Sequence, residues 1–210
     1  MPKLKLTYFD FDGGRGESIR LALVIGDIPF EDHRIPISEW PAYKDQTPLR
    51  QVPVMEVDGE IITQSNTINR LVGKMTGLYP DDALQAAYCD ETMATVEDIV
   101  SKIVTTFFIE DEEEKRLARE ALVAGPISLY LGRLETLLAQ RGGNYFAGDR
   151  FSVADLKVFL WIRNLISGTL DHIPTDIVER VAPKLVEHLE RISAQPKIAA
   201  YYQQRAGDSE

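Results

Sequence analysis

The chain has 210 residues, 44% of them hydrophobic, and a formal net charge of -10 because 33 acidic residues outnumber 23 basic ones. This hydrophobic content is ample for a buried core, so we expect an ordinary soluble globular protein of one large or two modest domains. The negative charge argues against nonspecific nucleic-acid binding and against binding to anionic membranes, but it leaves room for a locally basic pocket.

The first stretch, residues 3–9, alternates polar and apolar side chains and predicts a β-strand that packs against a core, with Tyr8 near its end. A turn follows at residues 10–14, and helical spacing then predicts a helix from about Gly16 to Ile25 that stops at Gly26. Residues 30–35 predict a second strand. A strand, a helix and a strand in this order favour a parallel, right-handed crossover.

Four prolines divide the next segment into a looping connection that carries Trp40 and Lys44. Gln51-Val52-Pro53 then opens a short apolar run. A proline at the start of a strand removes one backbone donor and leaves neighbouring amide groups free, which suits the binding of an extended peptide. Asp58-Gly59 lies between two strand-like runs and predicts a tight antiparallel hairpin, because both turn residues must tolerate positive φ.

Gln64-Ser65 precedes apolar residues at helical spacing, so Ser65 is predicted to cap a helix. The N-terminus of a helix with a hydroxyl group is a ready anion site, although most capping serines only satisfy their own helix. Breakers between Gly77 and Asp82 predict a domain boundary. We therefore expect a first domain, residues 1–80, with a small mixed sheet and helices, and an all-helical second domain, residues 83–210.

The second domain has two long helical patterns, from Ala83 to about Glu110 and from about Glu112 to Gln140, and Pro126 is expected to kink or break the second one. Ser152 and Asp155 have the spacing of a capping box before the next helix. Shorter helices are predicted over 175–181, 183–194 and 196–204. The acidic run at 110–114 indicates a solvated helix start, because contiguous acids point around a helix and do not converge on a metal.

Cys89 is the only cysteine, so no intrachain disulfide, Cys-x-x-Cys pair or cysteine-rich zinc motif is expected. The N-terminal residues lack the apolar run of a signal peptide, and no apolar run approaches the length needed to span a membrane. These features predict a cytoplasmic protein that has no metal and no membrane or nucleic-acid partner.

Several motifs occur together in a characteristic order: Tyr8 at a strand end, Arg15 before the first helix, Trp40 and Lys44 in a loop, Gln51-Val52-Pro53, Gln64-Ser65 and a late Phe-Ser-Val-Ala-Asp. In this order and along essentially the whole chain, they resemble the cytosolic glutathione transferases. The stretches Leu6-Thr7-Tyr8-Phe9 and Val96-Glu97-Asp98 look most like the tyrosine-dependent sigma type. The resemblance implies a thioredoxin-like first domain, a homodimer, glutathione as cosubstrate, and a helical domain that contributes the electrophile site and the dimer interface.

The resemblance also implies a role for each matching residue. Tyr8 would donate a hydrogen bond to the glutathione sulfur, and Arg15 would add positive potential nearby. The remaining glutathione contacts would come from Gln64 and Ser65 for the γ-glutamyl carboxylate, Asp98 of the partner subunit for the γ-glutamyl ammonium, Trp40, Lys44 and Gln51 for the glycyl carboxylate, and the backbone of Val52 before a cis Pro53 for the cysteinyl residue. Candidates for the electrophile site are Phe9, Phe11, Ile103, Phe107, Tyr201 and Tyr202.

The first turn departs from this pattern. Between Tyr8 and Arg15 it is one residue longer than the family pattern leads us to expect, and Asp12 stands where basic residues often occur. Two carboxylates that faced a developing thiolate would raise its pKa, so Asp10 and Asp12 are predicted to point to solvent.

Taken singly, the matching residues have ordinary explanations. Without the family pattern, Tyr8 would be read as a half-buried strand residue and Lys44 as a solvated loop cation. Trp40 would be read as a packing residue and Asp98 as a surface charge. Taken together, they favour an enzyme that adds the glutathione thiolate to small hydrophobic electrophiles or uses it to reduce organic peroxides. The alternatives are a non-catalytic relative, of the lens-crystallin or ligand-carrying kind, and a glutathione-dependent prostaglandin isomerase. The presence of Tyr8 favours catalysis.

Overall fold

The protein is described here by a computed structural model that covers residues 2–207. In this part of the chain the strands are β1 Leu4–Phe9, β2 Glu31–Ile35, β3 Val54–Val57 and β4 Glu60–Ile62. The α-helices are α1 Gly14–Ile25, α2 Trp40–Tyr43, α3 Ser65–Thr76, α4 Ala83–Thr105, α5 Glu112–Leu122, α6 Ser128–Gln140, α7 Val153–Ile166, α8 Ile177–Val181, α9 Pro183–Ser193 and α10 Pro196–Gly207. These elements form two compact units, residues 2–80 with 195–207, and residues 81–194.

The first unit contains a mixed four-stranded sheet in the order β2-β1-β3-β4. β1 pairs in parallel with β2 across the α1 crossover, and β3 pairs antiparallel with both β1 and β4. Asp58 and Gly59 have φ values of 51° and 91° in the β3-β4 turn, which are the positive angles that a two-residue hairpin requires. The predicted thioredoxin-like arrangement of strands and helices is confirmed.

The core of the first unit lies between the sheet and helices α1 and α3, which pack against each other. Leu4 and Leu6 of β1 are buried together with the apolar residues of α1 and with Ile68 and Val72 of α3. Burial of this apolar surface holds the helices on the sheet and so fixes where β1 ends and where α1 and α3 begin.

The second unit is helical, as predicted. Ser152 and Asp155 form the predicted capping box at the start of α7, and both of its reciprocal hydrogen bonds are present. Pro126 lies in a π-helical segment, Val123–Ile127, which joins α5 to α6. A proline lacks the N–H for an ordinary helical bond, so a wider turn accommodates it.

Helix α10 packs with the first unit, whereas the sequence analysis placed all of 83–210 in the second domain. Lys197 at the start of α10 donates to the Ile25 carbonyl at 2.8 Å and pairs with Asp27 at 2.5 Å. Both partners lie at the end of α1. The prediction missed this docking because these contacts join residues about 170 positions apart, which no local pattern records.

One helical stretch in the described part of the chain, Glu112–Gln140, is long and apolar enough to cross a membrane by length and composition alone. No such segment was expected from the sequence. Four leucines of its second half, Leu131, Leu134, Leu137 and Leu138, are already buried within the protein. Burial in a bilayer is therefore not needed to explain the apolar composition of that half.

Candidate active site at one end of the sheet

The strand register brings several of the predicted site residues to one end of the sheet. Tyr8 lies near the end of β1, and Thr7 is paired with Val54 at the start of β3. The Val52-Pro53 pair therefore precedes β3 at this same end. β4 runs antiparallel to β3 and leads toward this end, where Ser65 begins α3. The architecture thus gathers residues that are far apart in the sequence.

Tyr8 is 4% exposed, and its hydroxyl meets the N-terminus of α1. The backbone N–H of Arg15 donates a hydrogen bond of 2.9 Å to the hydroxyl oxygen, so the phenol keeps its own hydrogen for another acceptor. Burial raises the pKa of Tyr8, and the Arg15 N–H together with the positive charges of Arg15 and Arg20 offsets this only in part. The phenol is therefore protonated at neutral pH and can donate a hydrogen bond.

Two glycines allow the first turn of α1 to approach Tyr8 closely. A Cβ atom on Gly16 would lie 2.3 Å from Cγ of the Tyr8 ring, and one on Gly14 would lie 2.3 Å from the Tyr8 hydroxyl. Gly14 also has a φ of 66°, a conformation that favours glycine. The sequence analysis did not recognise these two positions as part of the site.

Arg20 is a buried cation next to Tyr8 that the sequence analysis also missed. Its side chain is fully buried, and the guanidinium carbon lies 5.6 Å from the centre of the Tyr8 ring. It donates hydrogen bonds to the carbonyls of Phe9, at 3.1 Å, and Phe11, at 3.2 Å. Arg20 therefore holds the end of β1 and the following turn in fixed positions around Tyr8.

The charge of Arg20 is balanced by Glu17, at 3.1 Å, and Asp32, at 2.9 Å. Burial raises the pKa of Glu17, although the charge and hydrogen bond of Arg20 oppose this. A sequence signal for this cluster did exist, because Arg20 stands between Ile19 and Leu21 on the predicted apolar surface of α1. A charge at such a position needs a buried partner.

The two acidic residues of the first turn have different surroundings. The side chain of Asp10 is 51% exposed, as predicted, and lies 3.4 Å from Arg34. Asp12 is only 30% exposed and pairs with Arg34 at 3.3 Å and Arg205 at 2.5 Å, so the prediction that it points to solvent is wrong. Burial alone would raise the pKa of Asp12, but Arg205 and Arg34 outweigh it and hold this pKa below its usual value. Its negative charge is thus balanced locally.

Trp40 and Lys44 lie in and just after α2. The Trp40 ring stands edge-on to the Phe9 ring, with 5.1 Å between the ring centres, so the loop is packed against the end of β1. Among residues 2–207, Lys44 has no ion-pair partner. Its ammonium group is therefore available to an anionic ligand, in a chain whose net charge is strongly negative.

The Val52-Pro53 peptide bond is cis, and Pro53 is buried. In the described part of the chain, Val52 makes no backbone hydrogen bond. Gln51 precedes it and is exposed. This leaves the main chain at Val52 open to pairing with an extended ligand.

Ser65 is the first residue of α3, and Gln64 occupies the cap position, so the predicted cap is wrong by one residue. The φ of Gln64 is 71°, and this residue turns the chain out of β4, so that Ser65 is already helical. Ser65 is buried and lies in the first turn of α3. The N–H groups of this turn and the helix dipole still favour an anion here.

The predicted aromatic residues of the electrophile site separate into different environments. The rings of Phe9 and Phe11 are stacked 6.2 Å apart, and each lies within 6 Å of the Tyr8 ring. The Tyr201 hydroxyl instead accepts a hydrogen bond from Arg34, and the Tyr202 hydroxyl donates one to Glu17. Neither contact was predicted from the sequence. In the helical unit Ile103 is buried, whereas Phe107 is half exposed and faces the guanidinium of Arg119.

Asp98 is exposed on α4 in the helical unit. It lines a cavity of about 780 Å³ together with Lys102, Thr105, Leu122, Pro126 and Tyr130. Within residues 2–207, no group of three or more His, Cys, Asp or Glu side chains could hold a metal ion.

Two family models match the chain. The model for the glutathione S-transferase N-terminal domain matches residues 4–74, and the model for the C-terminal domain matches residues 97–205. Glutathione S-transferase 1 of Ascaris suum is 37% identical over 163 residues, which are 75% of this chain and 78% of that protein. Hematopoietic prostaglandin D synthase of Gallus gallus is 31% identical over 98% of both chains.

The fold is also similar to a solved structure, that of prostaglandin synthase D of Nilaparvata lugens. The TM-score is 0.86 with 33% sequence identity, and the match covers 97% of this chain and 98% of the other.

The close approach of α1 to Tyr8 generates a prediction. Gly16→Ala should lower the free energy of unfolding by about 1 to 3 kcal/mol, because the added methyl group would displace the Tyr8 ring. Urea denaturation measures the stability, and near-UV circular dichroism reports the displaced aromatic side chain.

Gly13→Ala is the matched control in the same turn. Gly13 has an extended backbone with φ of 174°, and a Cβ there would meet the Phe11 ring at an ordinary 3.4 Å. Equal losses in the two variants would contradict the packing described for Gly16.

Proposed function

We propose, from the premise that this chain belongs to the glutathione S-transferase family, that Tyr8 activates the thiol of glutathione for attack on small hydrophobic electrophiles. The enzyme is a glutathione transferase, and glutathione is its cosubstrate. The observation that carries the assignment of Tyr8 is its buried, protonated hydroxyl, which accepts the Arg15 N–H and keeps a hydrogen to donate.

The energy that Tyr8 must supply is within the range of one hydrogen bond. Lowering the pKa of a thiol from about 8.5 by about two requires roughly 2.7 kcal/mol. A hydrogen bond to a charged group contributes about 1.5 to 3 kcal/mol. The Tyr8 hydroxyl can thus provide most of the stabilisation of the thiolate, and the dipole of α1 and the charge of Arg15 add to it.

In the proposed reaction the thiol proton is lost to solvent and the phenol keeps its own proton. The sulfur lone pair then forms a bond to the electrophilic carbon, and a leaving group departs with its bonding electrons. Tyr8 is unchanged at the end of the cycle. Its contribution is to make the thiolate more abundant at neutral pH.

The carboxylates of glutathione would bind at the two anion sites of the first unit. The N-terminus of α3, with Ser65 and Gln64, suits the γ-glutamyl carboxylate. Lys44, whose ammonium is not engaged in an ion pair within residues 2–207, suits the glycyl carboxylate together with the indole N–H of Trp40. Gln51 would add a contact from the side.

The main chain of Val52 would pair with the cysteinyl residue between these two ends. Its lack of backbone hydrogen bonds in the described part of the chain supports this assignment. Such strand-like pairing places the cysteinyl sulfur relative to Tyr8 without relying on side chains. Phe9 and Phe11, whose stacked rings lie beside Tyr8, would form an apolar wall for the electrophile.

We further propose a homodimeric, cytoplasmic enzyme of the sigma type that detoxifies electrophiles. In the dimer the partner subunit's Asp98 would accept a hydrogen bond from the γ-glutamyl ammonium. The exposure of this residue on α4 supports the assignment, as does the Leu6-Thr7-Tyr8-Phe9 motif for the sigma type.

Tyr8→Phe tests the central role. The variant should conjugate glutathione to a chromogenic aryl halide about 10 to 100 times more slowly at neutral pH, because roughly 1.5 to 3 kcal/mol of thiolate stabilisation is lost. The apparent pKa of the bound thiol, followed by the ultraviolet absorbance of the thiolate, should rise. Binding of S-methylglutathione, which has no ionisable thiol, should be unchanged. An unaltered rate and thiol pKa would remove Tyr8 from the mechanism.

Ser65→Ala should act differently, because a carboxylate contact serves substrate and transition state alike. We expect affinity for S-methylglutathione to fall by about tenfold, since a hydrogen bond to a charged group is lost, while kcat changes little. Isothermal titration calorimetry measures the affinity. Thr67→Ala is the matched control, because Thr67 is an exposed hydroxyl of the same helix. A similar loss in both variants would argue against the anion site.

A second candidate function is the glutathione-dependent isomerisation of a prostaglandin endoperoxide. The similarity over almost the whole chain to the hematopoietic prostaglandin D synthase of Gallus gallus and to prostaglandin synthase D of Nilaparvata lugens favours it. We expect the protein to turn over an aryl halide faster than it converts an endoperoxide to an isomer of equal mass. The opposite ranking would favour the isomerase. A protein that binds glutathione agarose but converts neither substrate would belong to the non-catalytic class.

A further inference from the structure

The last helix, α10, belongs to the first unit and is attached to the rest of that unit at both of its ends. At its start Lys197 pairs with Asp27, and at its end Arg205 pairs with Asp12, with 2.5 Å between Nε and Oδ1. In the middle Tyr201 accepts a hydrogen bond of 3.2 Å from Arg34. The end contact differs from the others because Asp12 belongs to the turn between β1 and α1.

Asp12 also begins a row of alternating charges that leads inward. Arg34 lies 3.3 Å from Asp12 and 2.7 Å from Asp32, and Asp32 lies 2.9 Å from the buried Arg20. The exposed side-chain fraction is 30% at Asp12, 15% at Arg34, 26% at Asp32 and zero at Arg20, so the row ends on a fully buried cation. An ion pair within such a network constrains its members more than an isolated surface pair does.

The turn is therefore held from two sides. On the inner side Arg20 binds the carbonyls of Phe9 and Phe11. On the outer side Asp12 is held by Arg34 and Arg205. The turn ends where α1 begins at Gly14, one residue before the N–H of Arg15 that reaches Tyr8. A displacement of the turn would move this donor relative to the phenol.

We propose that Asp12 is a positioning residue for thiol activation, because its ion pair with Arg205 fixes the first turn and thereby keeps the Arg15 N–H on the Tyr8 hydroxyl. The inference rests on the proposed function of Tyr8. It gives α10 a part in the reaction through a single contact, the ion pair of Arg205 with Asp12, because Asp12 belongs to the first turn. The Tyr201 and Tyr202 hydroxyls, which are engaged with Arg34 and Glu17, act in this arrangement as anchors of the helix.

The test compares Arg205→Gln, which removes the ion pair from the exposed helix end, with Arg205→Lys, which keeps the charge. Arg205→Gln should raise the apparent pKa of the bound glutathione thiol by about 0.5 to 1, equivalent to a three- to tenfold loss of thiolate below that pKa. The pH profile of kcat/KM for an aryl halide should move by the same amount. Arg205→Lys should restore most of the wild-type profile, and binding of S-methylglutathione should be the same in all three proteins.

Asp12→Asn should reproduce the effect of Arg205→Gln, and Asp10→Asn is its matched control. Asp10 lies in the same turn and, like Asp12, pairs with Arg34. The ion pair with Arg205, which the comparison tests, is made by Asp12. Arg34 and Arg205 hold the pKa of Asp12 below its usual value, so this carboxyl does not titrate between about pH 5 and 9, where the thiol is measured. A shift in the Asp12 variant alone supports the proposal. Equal shifts in both variants would overturn it.

Asp27→Asn separates positioning from docking. It weakens the other end of α10, where no residue of the first turn is involved. A rise in thiol pKa equal to that of Arg205→Gln would show that docking alone matters, and would overturn the role of Asp12. A wild-type profile in Arg205→Gln and Asp12→Asn, beside a shifted profile in Tyr8→Phe, would overturn this inference only. A wild-type protein that never ionises bound glutathione would overturn the role of Tyr8 and this inference with it.

Discussion

The hydrogen bond from the Arg15 N–H to the Tyr8 hydroxyl is the interaction on which the candidate site depends. It joins the end of β1 to the start of α1, so the positive end of the helix dipole lies at the phenol. The same bond opposes the rise in pKa that burial causes at Tyr8. Burial keeps the phenol protonated, while the Arg15 N–H polarises its oxygen so that it donates more strongly to a developing thiolate.

This arrangement also explains how a chain with a net charge of -10 can hold an anionic tripeptide. Charges separated by more than about 8 Å are largely screened at physiological ionic strength, so the ligand responds to its immediate surroundings. In the proposed site those surroundings contain the N-termini of α1 and α3 and the ammonium of Lys44. The carboxylates of the first turn, on Asp10 and Asp12, are paired with arginines. Local pairing therefore removes most of the repulsion that the overall charge would suggest.

The sequence was sufficient where a structural element is determined by its neighbours in the chain. The Asp58-Gly59 hairpin and the Ser152-Asp155 capping box have short-range signals, and both are present as predicted. Long-range features were missed. Neither the pairing of Arg20 with Asp32 nor the docking of α10 could be read from spacing, because each joins residues of different elements. The steric requirement at Gly16 likewise depends on where the Tyr8 ring lies, which only the packed structure shows.

The contacts of the first turn can be explained in the same terms. Arg15 reaches Tyr8 through its backbone N–H and acts on the phenol also through its charge, so the contact depends on where α1 begins and not on the length of the turn before it. A longer turn loses constraint, because each added residue brings backbone entropy. The buried bonds of Arg20 and the outer ion pairs of Asp12 restore that constraint. An acidic side chain at position 12 is accommodated here because Arg34 and Arg205 face it.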